Sequence, residues 1–119
     1  MNPSALSLHG IPALLYGAPA QRVFLHVHGK FGCKEEAERF AEIACPMGWQ
    51  VVSLDLPGHG ERKGLPEPFT PWQVIPELQR VYDWMRPRWK RHALYATSMG
   101  CWFSMPSPSP PITSRLLRR

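Results

Sequence analysis

Acidic side chains are missing from the end of this sequence: residues 84–119 hold seven Lys or Arg and no Asp or Glu. Histidine also stops early, the last of five being His92. Cysteine is scarce, and Cys33, Cys45 and Cys101 form no close-spaced pair. They fit free thiols in a reducing cytosol better than a disulfide framework or a zinc site. No apolar run approaches the roughly 20 residues that span a bilayer. The N-terminus has no basic start, and its apolar stretch is broken by His9, Gly10 and Pro12, so it does not read as a secretory leader. A cytoplasmic protein with no membrane partner is expected. At 119 residues a large multidomain enzyme is excluded as well.

What is present suffices for a core: 44% of the residues are hydrophobic, with five Trp and five Phe. The net charge of +5 is uneven, because residues 1–83 hold seven basic and nine acidic side chains. The basic excess therefore sits at one helix end (Arg86, Arg88, Lys90, Arg91) and in the C-terminal segment. It is a weak signal for nucleic acid, and no nucleic-acid partner is expected. Cations at a helix carboxyl end also suit its dipole. Trp72, Trp84, Trp89 and Trp102 read as packing residues.

Along the chain, residues 5–16 (ALSLHGIPALLY) read as two strands around a His9-Gly10 turn, with Pro12 confining the second to an edge or irregular pairing. Residues 22–27 (RVFLHV) are a strand covered on both faces, ending in the loop His28-Gly29-Lys30-Phe31-Gly32. Ala37, Phe40, Ala41 and Ala44 share one helical face, opposite Glu35, Glu36, Glu38 and Glu42. Pro46 and Gly48 end that helix. A buried strand over 50–56 follows, then Pro57-Gly58-His59-Gly60. A helix from about Trp72 to Met85 buries Val74, Leu78, Val81, Tyr82 and Met85, with Pro76 early enough to kink its first turn. A strand over 92–97 and a helix opening at Ser98 complete an α/β alternation with a parallel sheet. From residue 105 the Pro-, Ser- and Arg-rich composition predicts a disordered tail, giving an expected division into 1–104 and 105–119.

The chemistry centres on Tyr95-Ala96-Thr97-Ser98-Met99-Gly100. A serine attacks an acyl carbonyl when a sharp strand-to-helix turn lifts its hydroxyl above the sheet. Such a turn needs small residues two before and two after the serine, and Ala96 and Gly100 meet that need. Alone, a serine among small residues is an ordinary helix N-cap. Upstream, His28-Gly29 after a strand can turn the Lys30 N–H toward a developing oxyanion, with the Met99 N–H as second donor. Such donors contribute about 3–4 kcal/mol each to acyl transfer. Asp55–Gly60 forms a third loop at the ligand-binding edge of an open α/β sheet.

With HVHGKFG (26–32), SLDLPGHGERKG (53–64) and YATSMG (95–100) in this order, residues 5–104 resemble the α/β-hydrolase superfamily. The resemblance implies ester, thioester or peptide hydrolysis through an acyl-serine, with no metal or organic cofactor. It implies Ser98 as nucleophile, oxyanion donors at the backbone of Lys30 and Met99, and a supporting role for His28, Gly29, Ala96 and Gly100.

One departure is large. The superfamily's catalytic acid and histidine follow the nucleophile in chain order. The sequence has 21 residues after Ser98, and none is His, Asp or Glu. A serine without a base is a poor nucleophile. The expectation is an inactive or weakly active fragment, its last residues produced by a shifted frame or premature end. His59, in a loop at the right edge, is the candidate substitute base. The alternative is a non-catalytic binding protein on a degenerate hydrolase fold. In either case an exposed edge at the strand 92–97 would favour self-association.

Overall fold

A computed structural model describes residues 2–96. The nucleophile turn from Thr97 through Gly100 and the Pro-rich segment fall outside the described residues. The architecture begins with a hairpin, β1 (Ser4–Leu8) and β2 (Ile11–Tyr16). Its two-residue turn has positive φ at both His9 (53°) and Gly10 (83°), the backbone twist that joins antiparallel strands without splaying them. Then come β3 (Arg22–Val27), α1 (Ala37–Ala44), β4 (Trp49–Leu54), α2 (Pro71–Met85) and β5 (Arg91–Ala96).

The strands form one sheet in the order β1-β2-β4-β3-β5, with β4, β3 and β5 parallel and the hairpin antiparallel to β4. β2 is thus an inner strand, not the edge anticipated from Pro12. Its register with β4 begins at Ala13↔Leu54, and Pro12 has only its carbonyl engaged on that side, accepting from the Asp55 N–H at 3.0 Å. The missing proline N–H falls where the ladder has ended.

Alternation along the inner strands sorts the core. Val23, Leu25, Val27, Val52, Leu54 and Leu94 pack against Val74, Leu78, Val81 and Met85 of α2. Phe24, Val51, Leu14 and Tyr16 meet Ala37, Ala41 and Ala44 of α1 on the other face. Alanines on its buried stripe let α1 approach the sheet closely. α2 starts at Pro71, a position where proline's missing N–H is not needed, and continues unbroken through Pro76 to Met85. Trp84 and Trp89 pack as anticipated, but Trp72 is 84% exposed because it lies on the face of α2 opposite the buried Val74. Strand β4 stops two residues earlier than its apolar run suggests, since Asp55 turns inward to meet a lysine.

Candidate functional site at the carboxyl edge of the sheet

β3 lies between β4 and β5, and its last residue, Val27, is in register with both Leu54 and Ala96. The three strands therefore end at one level, and the segments after β3 and β4 leave the sheet side by side. The first is a four-residue turn, Gly29-Lys30-Phe31-Gly32, closed by the Gly32 N–H on the Gly29 carbonyl at 3.0 Å. Phe31 carries φ 69° in that turn, a conformation that costs a non-glycine residue about 1–2 kcal/mol, and the residue is 88% exposed. The Lys30 N–H meets no acceptor among the described residues.

The second is Leu56-Pro57-Gly58-His59, closed by the His59 N–H on the Leu56 carbonyl at 3.0 Å. Proline at the second position and a glycine with φ 78° at the third give the signature of a type II turn.

His28 ties the two turns together. Its ring is fully buried; Nδ1 lies 2.7 Å from the Gly29 carbonyl, and Nε2 accepts the Leu56 N–H at 3.0 Å. A carbonyl can only accept and an N–H only donate, so the proton sits on Nδ1 and the ring is neutral. Burial lowers its pKa, against the opposing bond to Gly29. One residue pair upstream, burial first and then His28 push His26 down to about 4. Its Nδ1 has no partner beyond its own residue.

Below the turns lies an ion cluster. Asp55, fully buried, accepts the Lys34 N–H at 2.8 Å, the Lys34 ammonium at 2.9 Å and the Glu61 N–H at 3.0 Å. Glu61 and Glu35 reach the same ammonium at 2.5 and 3.1 Å. Burial opposes the lysine's charge, but the bonds to Glu61, Asp55 and Glu35 outweigh it and hold the ammonium above its ordinary range. The Lys34 carbonyl accepts the Ser53 hydroxyl at 2.7 Å, so one residue pins the start of the α1 segment to β4 and to the loop after it. Gly60 is required here: a Cβ on it would run into the Asp55 carboxylate. On the far side, buried Arg62 grips Glu77 of α2 at 2.6 and 2.7 Å, Glu67 at 2.7 and 3.0 Å, and the Asp55 carbonyl at 3.2 Å.

A cleft of about 360 Å³ opens above these loops, lined by Lys30, Phe31, Gly32, Gly58, His59, Gly60 and Lys63. His59 lies 2.9 Å from the Pro57 carbonyl through Nδ1, which leaves Nε2 as the acceptor of the neutral ring. Of the residues singled out from the sequence, Lys30, His28, Gly29, His59 and Ala96 gather at this edge. Ser98, Met99 and Gly100 lie outside the described residues. Sequence reasoning missed Lys34, Arg62, Glu77 and the strained Phe31. Only Glu77 left a trace, standing on the same helical stripe as Val74, Leu78 and Val81. Cys33 and Cys45 are free thiols, with burial raising the pKa of each. Among the described residues, no group of three or more His, Cys, Asp or Glu could hold a metal, and no helix is long and apolar enough to cross a membrane.

No family model and no curated protein matches the sequence. Solved structures do match by fold. The thioesterase domain from the curacin biosynthetic pathway superposes with a TM-score of 0.71 at 23% identity, over 89% of this chain and 40% of that one. An esterase from an Arctic intertidal metagenomic library gives 0.68 at 24%, over 87% and 53%. Est1E from Butyrivibrio proteoclasticus, solved with ferulic acid, gives 0.67 at 20%, over 86% and 45%. These are α/β hydrolases, and the chain has the α/β-hydrolase fold in part, spanning about half of their length or less.

Proposed function

We propose that this chain carries the nucleophile and oxyanion half of a serine hydrolase acting on esters or thioesters. Ser98 attacks the acyl carbonyl carbon, losing its proton to a base, and the carbonyl oxygen gains the charge. The backbone N–H groups of Lys30 and Met99 receive that charge. Collapse expels the alcohol or thiol, and water then releases the acid from the serine. Ala96 and Gly100 give the turn room, while His28 and Gly29 aim the Lys30 N–H.

The observation that carries this reading is the common register of Val27 with Leu54 and Ala96. It brings a turn with an unengaged N–H level with the end of the strand that precedes Ser98. In α/β hydrolases the second oxyanion donor comes from the loop after the third strand, which is where Lys30 lies. The neighbours' names, thioesterase and esterase, support an acyl substrate. These 119 residues do not themselves supply a His, Asp or Glu after Ser98. An oxyanion hole alone retains about 10³–10⁴-fold catalysis over water when triad members are lost. The folded chain should therefore react slowly with a fluorophosphonate at Ser98, faster than the same chain unfolded in guanidinium, and not at all as Ser98→Ala. Equal labelling of folded and unfolded chain would refute the reading.

A second reading, a non-catalytic binding module, draws on β5. Among the described strands β5 is the last in the order and pairs with β3, the position at which a strand from a partner or a second copy would add. A monodisperse monomer that captures no added strand peptide would count against it.

A further inference from the structure

The cleft has a chemical bias that the hydrolase fold does not dictate. Among the described lining residues, Lys30 and Lys63 carry ammonium groups, and both side chains are exposed and in no salt bridge among the described residues. Lys30 Nζ stands 5.3 Å from the centre of the Phe31 ring. That residue is almost wholly in solvent on a left-handed backbone, a strain that usually persists for a functional reason. A cation pair beside an exposed aromatic face suits a ligand with an apolar body and an anionic end.

The nearby carboxylates set a condition on this bias. Asp55, Glu35 and Glu61 surround Lys34 and stand outside the lining, three negative charges on one positive. The long-range field of that cluster is negative. Any preference for anions must therefore come from direct contact with Lys30 and Lys63 rather than from steering.

We propose that the cleft binds an ester or thioester that bears a carboxylate or phosphate, with Lys30 and Lys63 on the anion and Phe31 against the apolar segment. This rests on reading the edge as a hydrolase site, and it names the substrate class of that site. The chemistry shared by the two sources is a compact oxyanion a few bonds from an apolar chain.

The test is a titration of the ¹⁵N-labelled chain, following the Gly32, Gly58 and Gly60 amides. Monomethyl succinate carries the anion in the acyl part, monoethyl phosphate carries it as a phosphate, and dimethyl succinate is the uncharged control. At least one anion should bind about tenfold tighter than the diester, as two partly screened ion pairs provide. Whichever anion binds tighter identifies the source. The preference should vanish in a Lys30→Met, Lys63→Met double variant, whose exposed side chains leave the fold intact, and should shrink in 0.5 M salt. Equal binding of all three probes, or a preference that survives both the double variant and salt, would overturn the proposal. Binding is read without turnover, so a failure here leaves Ser98 labelling to stand or fall separately.

Discussion

Two turns of the same hand leave the sheet side by side, and they are built from opposite kinds of sequence. After β4, Leu56-Pro57-Gly58-His59 uses the residues its backbone prefers, and Leu56 and Pro57 are buried. After β3, Gly29-Lys30-Phe31-Gly32 puts a phenylalanine where its neighbour has glycine, with Lys30 and Phe31 in solvent. The first is relaxed and half buried, the second strained and exposed, although both are closed by a 3.0 Å hydrogen bond. Local rules of sequence are obeyed where the loop is packed, and broken where Lys30 and Phe31 line the cleft.

The largest way to break the pairing is to remove what lies under it. Asp55→Ala takes away the acceptor of two N–H groups and of the Lys34 ammonium, which Glu61 and Glu35 then hold only partly. Breaking a buried pair costs about 3–5 kcal/mol, and urea unfolding should show a loss near the lower end. A loss under 1 kcal/mol would mean the two loops are not joined through this carboxylate.

Acid sharpens the contrast next, because two buried histidines, His26 and His28, lie on β3 and its turn. The His26 pKa is depressed to about 4 from an unfolded value of 6.5. The unfolded chain therefore takes up a proton as pH falls below 6.5 while the folded chain stays neutral to about 4. This stability is complete above pH 6.5 and is lost as pH falls toward 4, by up to about 3 kcal/mol. His28 shifts in the same direction and adds to the slope. Unfolding free energies of the parent and His26→Leu at pH 7 and pH 4.5 should differ in slope, the variant being flatter.

The smallest effects carry the comparison most directly, since they have opposite signs. Gly58→Ala meets no atoms within 4 Å but forces a side chain onto φ 78°, which should destabilise by about 1 kcal/mol. Phe31→Gly relieves the same conformation in the twin turn and should stabilise by about 0.5 kcal/mol after the entropy of an added glycine. Denaturation midpoints moving in the same direction would break the analogy between the turns.

Much of this edge was legible in sequence because its signals are local. Apolar runs marked β3, β4 and β5, glycine and proline marked both turns, and three motifs in order gave the fold. The Asp55–Lys34 and Arg62–Glu77 ties were not legible. Lys34 stands among glutamates as an exposed lysine would, and its burial depends on a carboxylate 21 residues away. Arg62 lies in a loop with nothing beside it in sequence to foretell a helix partner 15 residues on. The inner position of β2 was also hidden, because Pro12 signals a local break while the ladder beyond it is a long-range pairing.

Proline tests the proposed role of the Lys30 N–H as one of the two oxyanion donors. Lys30 holds the second position of its turn, where the twin turn already carries Pro57. Lys30→Pro deletes the donor and keeps the backbone path, and Lys30→Met controls for the lost side-chain charge. We predict that Lys30→Pro unfolds at the same denaturant concentration as the parent or slightly higher. Its fluorophosphonate labelling at Ser98 should fall by about 10²–10³-fold, the effect of losing one such donor, while Lys30→Met labels near the parental rate. Parental labelling by a folded Lys30→Pro chain would exclude the Lys30 N–H as an oxyanion donor.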